Sequence, residues 1–142
     1  MNSAGLPIDP AWIRFGDFHV TGGRDRAREL LALDEPPTAI FAGSDLQALG
    51  AIDAARAVGL RVPEDLSIVG YDDIPLARWL TPRLTTVHQP LRRMGEEAAR
   101  LAIRLADSYA GDGAGDGGDT DPTPRMDLAT SLVVRESTAP PA

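Results

Sequence analysis

Leu66–Pro90, LSIVGYDDIPLARWLTPRLTTVHQP, is the stretch that decides the fold. It opens on Leu66, Ile68 and Val69 and is closed by Gly70. A short apolar run rich in β-branched residues reads as a strand buried in a parallel sheet. Two adjacent carboxylates, Asp72 and Asp73, follow just past its C-terminal end. Open α/β sheets bind ligands in the crevice outside the carboxyl ends of their strands, so these groups are placed to meet a polar small molecule. A loop with Trp79, Leu80 and Pro82 comes next, then a β-like run from Leu84 to His88.

Working upstream, Arg61 to Asp65 connects this strand to a helix predicted from Asp45 to about Val58. Ser44 with Gln47 three residues on is a capping-box signature, and Gly59 is a natural stop after the last turn. Leu46, Leu49, Ile52, Ala55 and Val58 form its apolar positions. Thr38 to Gly43 predicts a second buried strand. Before it, Gly22 and Gly23 lead into RDRARELLALD, an amphipathic helix stopped by Pro36 and Pro37. Trp12 to Phe18, WIRFGDF, predicts a strand ending near Phe18, after the turn-like Leu6 to Pro10. Strands alternating with helices at this spacing mean βαβ units, a parallel sheet and the α/β class.

Downstream, Pro90 suits a helix start, and Leu91, Met94, Ala98, Leu101 and Leu105 repeat at helical spacing to about Asp107. Ser108 to Pro124 is low-complexity Gly, Asp and Pro, expected to be mobile. A final strand is predicted from about Leu128 to Val134, with Ser137 to Ala142 as a frayed tail. There is no internal repeat.

At 142 residues with 43% hydrophobic content, the chain is one domain's worth with a real core. It has no apolar run long enough to span a bilayer, and no charged and apolar signal segment opens it. The absence of Cys removes disulfides and thiolate metal sites. A net charge of −7 disfavours nonspecific phosphate binding, so this chain is not expected to bind DNA by itself. All 14 basic residues are Arg, which removes lysine-dependent mechanisms.

Asp72 and Asp73 admit three readings: a Mg²⁺ site for phosphoryl chemistry, a carboxylate accepting hydrogen bonds from ligand hydroxyls, or a loop-capping pair. The first also expects a Lys. Phe18 suits the apolar face of a sugar ring or a planar base, against an ordinary place in the core. His88 and His19 lack a second ligand at diagnostic spacing and read as structural. Asp112 to Thr123 has acidic residues partly in phase with a calcium loop, but lacks the bidentate Glu and reads as linker. No nucleophile–base pair is evident, so no enzyme is expected.

Three blocks, PPTAIFAGSDLQALGAIDAARAVGL, VPEDLSIVGYDDIPLARWLTPRLTTVHQPLRRMGEEA and LVVREST, together resemble the effector-binding core of the lactose/galactose-repressor family of bacterial transcription regulators. Only the acidic insert from about Ser108 to Arg125 falls outside the likeness. The resemblance implies a type I periplasmic-binding-protein-like lobe truncated at its N-terminal side. Residues 1–107 would form a partial effector lobe with a crossover helix over 90–107, followed by a flexible acidic linker at 108–125 and a returning strand and tail at 126–142. The DNA-binding headpiece and the first lobe would precede this chain. By the same likeness Asp72 faces the effector, Phe18 stacks on it, and Ser44 stands where many relatives carry Asn. Gln89 sits at the crossing between lobes. Leu49, Trp79 and Leu80 would lie at an isologous dimer interface, although core packing suits Leu49 equally.

The function that the resemblance implies is cytoplasmic sensing of a small-molecule effector of the carbohydrate class, without a cofactor or a membrane, in a dimer that reaches operator DNA through its headpiece. Alternatives are a periplasmic sugar-binding protein of a transporter, a Mg²⁺-dependent α/β enzyme using Asp72 and Asp73, and an oligomeric fragment without a ligand. An uncovered Leu91/Met94/Leu101/Leu105 stripe would promote self-association.

Overall fold

The computed structural model of the chain describes residues 9–111 and 125–140. They fall into two units, one made of the chain up to His88 together with the segment from Ser131, the other of Gln89–Thr130. The first unit holds helix α1 (Val20–Leu31), strand β1 (Ala39–Phe41), helix α2 (Asp45–Ala57), strands β2 (Ser67–Asp72) and β3 (Thr85–His88), and strand β4 (Ser131–Val133). The second holds helix α3 (Leu91–Gly111).

The sheet order is β1-β2-β3-β4. Strands β1, β2 and β3 run parallel, with Ala39 opposite Ser67 and Val69 opposite Thr85. The returning β4 is antiparallel to β3, pairing Ser131 with His88, so the expected parallel sheet is mixed at this side. Side chains alternate across the strands. Ile68 is buried with Leu66 and Leu84 against the helices, and Ile40 packs on that cluster. Phe41 lies on the opposite face, 65% exposed, and meets Tyr71 edge-on at 6.5 Å.

Small residues explain how α1 and α2 reach each other. A Cβ on Gly23 would stand 2.2 Å from the Gln47 carbonyl oxygen, and one on Gly50 would stand 2.1 Å from that of Val20. The two backbones therefore touch directly, and Ala48, Ala51, Ala54 and Ala55 fill the core beside Ile52. This revises two expectations. Gly22 and Gly23 lie inside α1 rather than ahead of it. The buried face of α2 is its small-residue face, while Leu46 and Val58 are exposed. Gly59 ends the helix as predicted, with φ +83.

The predicted strand over Trp12 to Phe18 is absent. Pro10–Trp12 is a 3-10 turn capped by Asp9, whose carboxylate accepts from the Ala11 amide at 2.8 Å. Residues 13–17 join no ladder, and the Arg14 guanidinium donates to the carbonyls of Ala11 and Ile13. Apolar β-prone residues need a neighbouring strand to pair with, and here none is offered.

Nor is the tail frayed over residues 137–140, the last two residues of that prediction lying outside the described ones. Ser137 is fully buried; its hydroxyl donates to the Ile68 carbonyl at 2.6 Å and accepts from the Thr85 amide at 2.8 Å. The Ile68 amide in turn donates to the Ser137 carbonyl. Ser137 fills the gap between the starts of β2 and β3, which pair only from Val69 and Thr85 onward. In the second unit α3 runs to Gly111, four residues past the expected stop and into the predicted linker. The ion pairs Arg92–Glu96 and Glu97–Arg100 brace its surface. The remainder of that linker and the calcium-like loop at 112–123 lie outside the described residues.

Candidate functional site

Because β1 and β2 are parallel neighbours, their carboxyl ends meet at one edge of the sheet. Ser44 follows β1 there, and Asp72 ends β2. Ser44 is 5% exposed and its hydroxyl accepts from the Gln47 amide at 3.2 Å, capping α2. The reciprocal half of the capping box is missing. Gln47 Nε2 instead donates to the Asp17 carbonyl at 2.6 Å, tying the loop before α1 to this edge. That loop is further fixed by Asp17 Oδ1, which accepts from the His19 amide. Phe18 is thus presented by a pinned loop rather than by a strand; it is 67% exposed, and its ring edge lies 3.7 Å from where a Cβ on Gly43 would be.

Asp72 and Asp73 both have positive φ, +116 and +54. Side-chain-bearing residues seldom adopt this region, and two in succession hold a turn that the surroundings must enforce. Asp73 supplies part of the enforcement. Its side chain is 4% exposed; Oδ1 accepts from Arg135 Nη2 at 2.5 Å, while Oδ2 lies 3.1 Å from His88 Nδ1 and 3.6 Å from Arg78 Nη2. Burial pushes the Asp73 carboxyl up, but the hydrogen bond and charge of Arg135, with His88 and Arg78, prevail and hold it below the usual carboxylate range. Both oxygens are committed to cations of the protein. The Asp73 carboxylate is thus engaged within the protein, which speaks against the Mg²⁺ reading of the Asp pair, and among the described residues no group of three or more His, Asp or Glu side chains is placed to hold a metal.

One residue of the site went unnoticed in the sequence. Asp45, the first residue of α2, is 2% exposed, and its carboxylate accepts from the Ile74 amide at 2.8 Å and the Thr86 hydroxyl at 2.5 Å. Burial raises its carboxyl, against these two hydrogen bonds, and Asp72 and Asp73 add repulsion in the same upward sense. Arg135 falls within the LVVREST block, whose local pattern assigns it no role. Its partner stands 62 residues away in the chain, a separation no local pattern encodes.

The structure therefore brings Phe18, Ser44 and Asp72 to one rim. Gln89 belongs to the other unit, where its carbonyl accepts from the Leu91 amide at the start of α3. Trp79 is 83% exposed at the end of a 3-10 turn, Pro75–Arg78. Leu80 packs partly on the core and Leu49 is half-buried on α2.

A parallel-dominated sheet with helices packed on it and a polar rim at its strand ends is the architecture of an open α/β ligand-binding lobe. Residues 1–138 match the model of the periplasmic binding protein-like domain. The HTH-type transcriptional repressor PurR of Erwinia tasmaniensis is 45% identical over 103 residues, covering 72% of this chain and 30% of that protein. Among solved structures, the transcriptional regulator CelR in complex with cellobiose is 41% identical with a TM-score of 0.81, over 96% of this chain and 38% of that one. The lac repressor dimer bound to operator and the anti-inducer ONPF is 32% identical with a TM-score of 0.72, over 87% and 39% respectively. The chain belongs to the periplasmic binding protein-like family and is related to the effector domains of LacI/GalR-type regulators. It spans less than two-fifths of the length of these relatives.

Proposed function

We propose that the chain senses a small polar effector, of the carbohydrate class, at the rim formed by Phe18, Ser44 and Asp72, on behalf of a cytoplasmic dimeric regulator. The observation that carries this reading is an exposed aromatic ring and a conformationally enforced carboxylate at one edge of the sheet. A sugar ring offers an apolar face to the first and hydroxyl donors to the second. The cellobiose in the CelR complex supports the same class. Leu49, Trp79 and Leu80 would carry the dimer. Ser44 is spent on capping α2, so its contact with an effector would run through water.

In the intact regulator the effector would bias two conformations of the lobes and so the spacing of DNA-binding headpieces. The bias equals the effector's differential affinity for the two states and no more. A charge-assisted hydrogen bond contributes about 1.5–3 kcal/mol, so Asp72→Ala should weaken binding roughly 10- to 100-fold.

The test is a thermal-melt panel of mono- and disaccharides including cellobiose, with nucleosides and Mg²⁺ alongside, on this chain and on Asp72→Ala. At about 100 times its Kd a ligand stabilises by roughly 2.7 kcal/mol, well within reach of the melt. The reading expects a sugar to raise the wild-type midpoint and, at the same concentration, to raise that of the variant by clearly less. A shift with Mg²⁺ or nucleosides alone, or no shift with any sugar, overturns it.

A further inference from the structure

We propose that Asp45 is a positioning residue for effector recognition, holding the Asp72–Ile74 turn against the start of α2 so that the rims of β1 and β2 form one rigid surface. The proposal rests on the reading that Asp72 faces the effector.

Three features support it. First, Asp45 does not cap its own helix, a task already done by Ser44. Its oxygens reach across the sheet instead, one to the Ile74 amide just past the Asp pair and the other to Thr86 on β3. Thr86 Oγ1 also takes a long contact, 3.4 Å, from the Asp73 amide. Second, β2 makes room for this carboxylate. A Cβ on Gly70 would lie 2.3 Å from Asp45 Oδ1, so only glycine lets the carboxylate lie against the strand. Gly70 thus sits inside β2 for this purpose, where the sequence suggested that it closed the strand. Third, stability alone is a poor reason to keep a carboxylate here. It is buried beside two further carboxylates, and its compensation comes from two hydrogen bonds and the amide end of α2. A costly group is retained where its geometry is needed.

The effect on Asp72 follows from chain connectivity. Asp72 is two residues from the anchored Ile74 amide and one from the clamped Asp73 carboxylate. Releasing the Ile74 amide leaves the positive-φ pair with one restraint fewer, and the turn can relax toward ordinary backbone angles. Asp45→Asn keeps the size, but its neutral carbonyl is a weaker acceptor than a carboxylate oxygen, and the NH2 group that replaces the second oxygen can only donate to the other partner.

The experiment is amide hydrogen exchange by NMR on the full chain, comparing wild type, Asp45→Asn and Thr86→Val. Asp45→Asn should exchange the Ile74 amide about tenfold faster than wild type, with Ile52 and Ile68 changed less than about twofold. Thr86→Val, which leaves the Asp45 carboxylate in place but removes one donor, should show a smaller rise at Ile74, and it carries the test if Asp45→Asn does not fold. Uniform acceleration across the core, or no acceleration at Ile74, overturns the proposal. Cellobiose titration is the second readout. If wild type binds it, Asp45→Asn should bind about tenfold more weakly, and equal affinity overturns the proposal. If no sugar in the panel binds wild type while Ile74 opens in Asp45→Asn, the carbohydrate reading fails and the anchoring of the turn by Asp45 is upheld.

Discussion

Asp73 and Arg135 join β2 to the segment after β4, and their side chains are 4% and 12% exposed. Removing one member of a buried pair leaves the other uncompensated, at a cost of about 3–5 kcal/mol. Arg135→Ala also deprives the Leu84 carbonyl of a donor at 2.7 Å, so its loss in urea denaturation should fall in the upper part of that range. Asp73→Asn adds a pH signature. A carboxyl held low in the folded chain contributes stability above the unfolded value of 3.8 and loses it as pH falls through the folded value. The difference in urea midpoint between wild type and Asp73→Asn should therefore be full at neutral pH and shrink below that value. A difference unchanged on acidification would mean that the ion pairs contribute nothing. Asp45 runs the other way, its stabilising share being present below 3.8 and lost as pH rises through its raised folded value.

At the scale of elements, the α1–α2 contact depends on two absent side chains. A methyl group at Gly23 or Gly50 meets backbone at 2.2 or 2.1 Å, and backbone cannot rotate away. Overpacking of this kind costs about 1–3 kcal/mol, so Gly23→Ala and Gly50→Ala should each lower the melting temperature by several degrees. Gly95, inside α3, has nothing within 4 Å of the same position. There Ala should favour the helix by roughly 0.5–1 kcal/mol, read as increased ellipticity or slower exchange in α3. If all three substitutions act alike, the close approach of α1 and α2 is not what their glycines serve.

At the scale of the whole molecule, apolar groups remain uncovered in both units. Phe41, Leu132 and Val134 are 65%, 59% and 69% exposed in the first, and Leu91 and Ile103 are exposed on α3. Surfaces of this composition associate. Light scattering across a concentration series should show a mass rising above that of one chain, and a monodisperse monomer throughout would overturn the expectation. Among the described residues no helix is long and apolar enough to cross a membrane.

What the sequence by itself determined was local or periodic. The apolar runs marked β1, β2 and β3, and Ser44 and Gly59 marked the ends of α2, because strand burial, capping and positive φ depend on residues a few positions apart. The rim was legible for the same reason: a strand end places Asp72 wherever the strand itself is found. Tertiary structure alone decided the rest. Trp12 to Phe18 has strand-like composition but no ladder to join, and Ser137 looks like tail yet fills a gap between two strands. Asp45 and Arg135 acquire their roles from partners 29 and 62 residues away. Hydrogen bonds and ion pairs of that span leave no period in a sequence, since what brings their ends together is the packing of everything between them.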